Sequence, residues 1–226
     1  MDELQRVQSV YRERIQENVS DRYSLMRPGE LYMQQRRERV LLDMLRRAGL
    51  ASVKGSRVLE IGCGRGDRIA DFQRWGAHPQ DLYGLELLPD FAVDARNNNP
   101  AHSIVRASAH QLPFPDSSFD IVAQFTVFTS VLDEGVRQHI AKEVVRVLRP
   151  GGMVVWYDFR VPNPWNAAVR PVASREIREL FPGLQMTIRS LTLIPHVARR
   201  LAKFSFAACA ALELLPFLRT HYLALL

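Results

Sequence analysis

Ten consecutive residues, Val58-Leu59-Glu60-Ile61-Gly62-Cys63-Gly64-Arg65-Gly66-Asp67, concentrate more chemistry than any other stretch of the chain. The apolar run predicts a buried strand, the three alternate glycines a tight turn, and Asp67 the opening of a helix. Glycines let the main chain turn sharply and let a ligand lie against its N–H groups. The unpaired donors of the following helix point toward the same place. A dinucleotide-phosphate site would require a third glycine at position 67. Asp67 stands there instead, and Glu60 precedes the turn. Asp67 is a poor neighbour for a pyrophosphate but harmless to a cofactor without phosphate, and Glu60 suits a cationic ligand. Glu86 lies 24 residues beyond Gly62, at the end of a second strand-like run. A carboxylate there can accept hydrogen bonds from both hydroxyls of a ribose. The ligand these residues describe is a nucleoside with a positive group and no phosphates.

The elements that would position these residues follow from hydrophobic periodicity. Strands are predicted over 57–61, 82–86, 103–106, 119–124 and 153–157. Helices are predicted over 67–75, 90–98 and 133–148, the last with Val136, Ile140, Val144, Val147 and Leu148 on one face. Strands alternating with helices imply a parallel sheet with right-handed crossovers. Residues 1–50 are predicted helical, with a break at Arg27-Pro28-Gly29. Pro150-Gly151-Gly152 predicts a turn, and Pro113-Phe114-Pro115 a fixed loop edge. The last third is predicted as a helix over 174–181, a strand over 184–193, an alanine-rich helix over 197–215 and a strand over 220–226. The expected organisation is a helical extension or cap over 1–50 and one α/β domain over 51–226.

Four stretches in order resemble the class I S-adenosylmethionine (SAM)-dependent methyltransferases of the small-molecule type. They are VLEIGCGRG at 58–66, YGLELLPD at 83–90, ASAHQLPFPDSSFDIV at 107–122 and RVLRPGG at 146–152. The resemblance implies a Rossmann-like, seven-stranded, mostly parallel sheet with helices on both faces, the last strand antiparallel and a helical insertion before it. It implies SAM as cofactor and S-adenosylhomocysteine as product. Glu60, Gly62, Cys63, Gly64 and Gly66 would form the methionine end of the site. Glu86 would bind the ribose and Leu87 pack on the adenine, with Ser108, Ala109 and His110 at the adenine. Gln124 would lie near the sulfonium. Asp often occupies the position of Ser108 in the family; Ser is a weaker acceptor for the adenine amino group.

Methyl transfer is an in-line displacement, so the protein mainly supplies position and electrostatics. A base is needed only for a hydroxyl or protonated amine acceptor. The acceptor is expected beyond the carboxyl ends of the strands, near 125–131, 157–160 and the N-terminal Tyr11, Asp21, Arg22, Tyr23 and Tyr32. Asp158 and Tyr23 are the candidate catalytic residues, and Arg160 and Arg170 candidate anchors for an acidic substrate. The helix over 197–215 carries Arg199, Arg200 and Lys203 before Phe204 and Phe206. Such a helix can pack on the sheet, cover the acceptor, or lie on an anionic membrane as a peripheral contact.

Composition narrows the class. The chain has 226 residues, 47% hydrophobic and 24% charged, which excludes disordered and fibrous proteins. Cys63 and Cys209 form neither a disulfide framework nor a metal-ligand spacing, so no metal is expected and the cytoplasm is the expected location. The opening stretch is polar, so no secretory signal is expected. Of 30 basic residues only three are lysine, a usage typical of GC-rich bacterial genomes. The net charge of +6 allows an RNA substrate. Against RNA, no basic cluster interleaves with aromatics, and Gln124-Phe125-Thr126-Val127 stands where a base-amino methylation motif would be. The favoured function is methylation of a hydroxyl or amine on a secondary metabolite, sugar or lipid-linked intermediate. RNA methylation and non-catalytic SAM binding are the alternatives. Sequence assigns no oligomeric state.

Overall fold

A computed structural model of the chain describes residues 2–16, 23–163 and 166–226. Seven strands form one sheet: β1 (Val58–Ile61), β2 (Leu82–Glu86), β3 (Ser103–Arg106), β4 (Phe119–Phe125), β5 (Leu148–Phe159), β6 (Thr187–Leu193) and β7 (Arg219–Leu225). Their spatial order is β3-β2-β1-β4-β5-β7-β6. The first five pair in parallel; β7 runs antiparallel to both β5 and β6. The order reverses at β1, where β2 lies to one side and β4 to the other. A crevice opens there beyond the carboxyl ends of the strands.

Helices cover both faces. On one, Leu41, Met44 and Leu45 of α2 (Pro28–Arg47) and Ile69 and Phe72 of α3 (Asp67–Arg74) pack on Val58, Leu82, Ala123 and Val155. On the other, α5 (Glu134–Val147) and α6 (Ser174–Leu180) pack Ile140, Val144 and Ile177 against Leu59, Ile61, Val122 and Trp156. Ile140, Val144 and Val147 of the predicted stripe are buried on α5 together with Arg137 and Ala141, Leu148 opens β5 instead, and Asp133 caps the helix by accepting the Val136 N–H at 2.8 Å. α4 (Pro89–Asn98) lies against β2 and β3. The N-terminal region holds α1 (Glu3–Gln16) and α2, with Pro28 at the start of α2.

Two expectations need correction. The single helix over 197–215 is two, α7 (Pro195–Leu201) and α8 (Phe206–Glu213). The chain breaks at 202–205, and the Ser205 hydroxyl accepts the Ala208 N–H at 3.1 Å, a side-chain cap that starts a new helix. β5 also begins earlier than 153. Two steps along β4, from Phe119 to Ile121, match five along β5, from Leu148 to Met153. The turn expected at 150–152 is thus a bulge inside the strand, with Gly151 at φ +78°.

Candidate active site

The glycine turn leaves β1 at the point where the sheet order reverses. Gly62 has φ +66°, and a Cβ on it would stand 2.6 Å from Val127 Cγ2. Gly64 has φ +57°, with open space where a Cβ would stand. The Cys63 N–H donates to the Leu85 carbonyl at 3.0 Å, tying the turn to β2. Glu86 straps two turns with one carboxylate: Oε2 accepts the Gly64 N–H at 2.8 Å and Oε1 the Leu88 N–H at 2.9 Å. Burial raises the Glu86 pKa, and those two N–H groups oppose the rise.

A cavity of about 260 Å³ lies over this turn. Gly62, Gly64, Glu86, Leu87, Ser108 and Ala109 line it, six of the eleven predicted cofactor residues. The other five stand behind or beside it. Cys63 fills the notch over Gly84, whose Cβ would come within 2.7 Å of its Sγ. Gly66 is a packing glycine: a Cβ there would stand 2.3 Å from Asn99 Nδ2. Glu60 is buried; one carboxylate oxygen, Oε2, has no partner among the described residues. Burial holds its pKa well above the ordinary value, Asp71, Asp67 and Glu86 add to the rise, and Arg68 opposes it. His110 packs against His139 with ring centres 4.6 Å apart and the planes tilted by 31°. Gln124 accepts the Val127 N–H at 3.0 Å and so holds the turn after β4.

The predicted acceptor-side residues divide similarly. Phe125, Thr126, Val127, Ser130 and Val131 line the cavity. Thr126 has φ +63°, a left-handed conformation rare for a β-branched residue. Asp158 is fully buried and outside the lining. It accepts the N–H groups of Thr129 at 3.1 Å and Phe159 at 3.0 Å. Burial pushes its pKa up to about 7, and those N–H groups and Arg137 hold it from rising further. Tyr23 is 60% exposed and lines no wall of the cavity. Tyr32 donates to Glu213 at 2.6 Å. Arg160 donates to the Pro216 and Arg219 carbonyls, and Arg170 pairs with Glu176 at 2.7 Å, so both guanidiniums are engaged by the protein. Asp21 and Arg22 lie outside the described residues.

Sequence reasoning missed most of one wall. Glu3, Leu4, Val7 and Tyr11 of α1 close the cavity from above. Of these only Tyr11 was anticipated, although Leu4, Val7 and Tyr11 are spaced as one helical face. Tyr11 Oη lies 3.0 Å from Ser130 Oγ. Arg6 donates to the Ser130 carbonyl and to Glu3, and Glu3 accepts the Leu132 N–H.

A family profile described as "Methyltransferase domain" matches residues 59–156, which carry the glycine turn, Glu86 and the segment after β4. Residues 59–156 thus form a methyltransferase domain. "Phthiotriol/phenolphthiotriol dimycocerosates methyltransferase 1" of Mycobacterium ulcerans is 36% identical over 151 residues, 62% of this chain and 54% of that protein. "Fatty-acid O-methyltransferase" of Mycolicibacterium smegmatis is 38% identical over 169 residues, 69% of this chain and 60% of that one. The chain thus spans about half the length of the relatives it matches. A SAM-dependent methyltransferase from Archaeoglobus fulgidus superposes with a TM-score of 0.57 over 83% of this chain and 93% of that one, at 17% identity. A putative sarcosine dimethylglycine methyltransferase from Galdieria sulphuraria gives 0.62 over 84% of each, also at 17%. At this identity the likeness is one of fold.

The methyltransferase site fits SAM on its own chemistry. Gly64 leaves open space for a ligand against the main chain. Glu60 holds a buried carboxylate oxygen without a partner among the described residues, suited to a cationic ligand. Glu86 lines the cavity with a carboxylate that could accept from a ribose, and Leu87, Ser108 and Ala109 line it where a base could pack.

Proposed function

We propose that this protein transfers a methyl group from SAM to an oxygen of a small, lipid-like acceptor. The observation that carries this reading is the continuity of the cavity. The Gly62, Gly64 and Glu86 cradle runs without a break into walls of Leu4, Val7, Val127, Val131, Val136 and Ile140. Such walls favour an apolar acceptor, and one relative is named as a fatty-acid O-methyltransferase. SAM supplies a methyl group already activated by the sulfonium. The protein holds donor and acceptor in line and excludes water.

In this reading Asp158 is a positioning residue rather than a base. It fixes the Thr129 N–H, and through it the turn at 126–132 that faces the acceptor. Tyr23 is exposed and stands outside the cavity wall. Within the N-terminal region only α1 acts as a cap, over the cavity, while α2 packs on the sheet of the 51–226 domain. The buried, unpaired cysteines Cys63 and Cys209 favour a cytoplasmic setting.

The test is methyl transfer from labelled SAM to a panel of long-chain fatty acids, aliphatic alcohols, sugars, amines and RNA. Turnover with an apolar oxygen acceptor is expected. Turnover with RNA or amines alone overturns the acceptor reading. Tight SAM binding without turnover on any of them indicates a non-catalytic binding protein.

A further inference from the structure

The C-terminal third has a charge distribution and an apolar surface that methyl transfer does not use. Residues 180–226 hold five lysines and arginines and one acid, Glu213. Glu213 is buried, where it accepts from Tyr32 Oη and the Thr192 N–H and pairs with Arg36. No acidic side chain is therefore exposed in this region among the described residues.

α8 has an apolar outer face. Its exposed positions are Phe206, Ala207, Ala210 and Ala211, and Leu214 follows directly. A helix at the surface of a water-soluble protein carries polar residues there. The apolar surface continues on both sides: Phe204 is 86% exposed, Leu214 71% and Phe217 74%. Single exposed apolar side chains are ordinary, but an unbroken run marks a contact surface.

Cations border this surface at both ends. Arg200 and Lys203 precede Phe204, and Arg219 follows Phe217. Arg219 also opens a groove of about 670 Å³ between α2 and the edge strand β6. Arg36, Arg39, Arg46, Arg189 and Arg219 line the groove with a single acid, Asp43, which Arg47 and Arg189 already engage. The side chains of Arg39 and Arg46 make no hydrogen bond or ion pair among the described residues. Arg219 donates to the Glu213 and Leu214 carbonyls and Arg36 pairs with Glu213, so Arg39 and Arg46 are the groove cations open to phosphate. Arg219 pairs with Leu193 at the sheet edge where β5 and β6 end, the edge that also carries the cofactor cavity.

We propose that this protein docks on an anionic lipid bilayer through the α7–α8 region, with the Phe204, Leu214 and Phe217 side chains entering the interface and the arginine groove taking lipid phosphates. Leucine and phenylalanine on a face rimmed only by cations are the combination that an anionic membrane surface selects. The inference does not depend on the acceptor, although it would place the cavity edge near a lipid source.

The test is flotation of the full chain with vesicles of phosphatidylcholine alone or mixed with phosphatidylglycerol, with SAM titration run on every variant. The wild type is expected to bind the mixed vesicles about tenfold or more tightly than phosphatidylcholine alone, with a loss on raising salt. Phe204→Ser with Phe217→Ser should weaken vesicle binding about tenfold or more and leave SAM binding unchanged. Arg39→Ala with Arg46→Ala should lower binding to mixed vesicles and leave residual phosphatidylcholine binding alone. The proposal is overturned by a wild type that binds neither vesicle, or by binding that both double variants leave intact. It is also overturned by a Phe204- and Phe217-dependent dimer without vesicle binding, or by retention of inorganic phosphate with no affinity for vesicles. Failure of the cofactor reading would appear separately, as absent SAM binding.

Discussion

Glu86 performs two tasks with one carboxylate. It holds the Gly64 and Leu88 N–H groups and still faces the cavity. Glu86→Ala should therefore weaken SAM binding by about 1–3 kcal/mol in calorimetric titration, the cost of leaving bonded polar groups unpaired. Unchanged affinity would remove Glu86 from the site. Glu60 leads to a separate expectation. Burial favours its protonated form in the free protein, and a cation brought near favours the carboxylate. SAM binding should then release up to about one proton, read from the dependence of binding enthalpy on the ionisation heat of the buffer. Glu60→Gln should abolish that dependence; a dependence that persists in the variant assigns the proton elsewhere. The placement of Gly62, Gly64 and Glu86 around the cavity was legible in the sequence because it depends on the local main chain and on strand ends. Gly66 was not, because what crowds it is Asn99, brought over by α4. Asp158 was not, because its partner Thr129 arrives from the turn after β4.

Helix α1 closes the cavity through bonds to one short segment, 130–132. Arg6 and Tyr11 meet Ser130, and Glu3 meets the Leu132 N–H. Removing Arg6 and Tyr11 oxygen contacts together, in Arg6→Ala with Tyr11→Phe, should speed SAM dissociation by an amount equivalent to about 1–2 kcal/mol, measured by displacement with unlabelled cofactor. Thermal stability should barely change, since α1 contributes nothing to the two main cores. Dissociation at the wild-type rate would mean that α1 packs beside the cofactor without retaining it. The helical face Leu4, Val7 and Tyr11 was visible in the sequence, yet periodicity shows only that a face is covered and not what covers it. The same limit explains α7 and α8. Ser205 is a legible cap in retrospect, but alanines on either side support a continuous helix equally well, and the break is decided by packing on α2 and β6.

At the scale of the whole molecule, the alternation of strands and helices fixed the parallel part of the sheet. The reversal of β7 could not be read that way, because a hydrophobic run has no direction; only the resemblance carried it. The finished sheet buries ionisable groups whose effects on stability oppose one another. Asp158 has its pKa raised from 3.8 to about 7, so it contributes stability that is present at low pH and lost as pH rises through about 7. His221 is pushed down from 6.5 to about 3 by burial and by Arg37, so its contribution is present above 6.5 and lost as pH falls toward 3. The two slopes overlap between pH 4 and 6.5 and mask each other in the wild type. The difference between Asp158→Asn and wild type isolates the first. That difference in unfolding free energy, from urea denaturation, should rise in favour of the variant by about 1–3 kcal/mol between pH 5 and pH 8, one to two pK units of interaction. A flat difference would mean that Asp158 ionises as an ordinary carboxyl. The same variant tests the positioning role, because the amide still offers an oxygen to Thr129 but not two to Thr129 and Phe159. On the proposed positioning role turnover should fall while SAM affinity holds, since Asp158 lies outside the cavity lining and bonds the Thr129 N–H of the turn after β4.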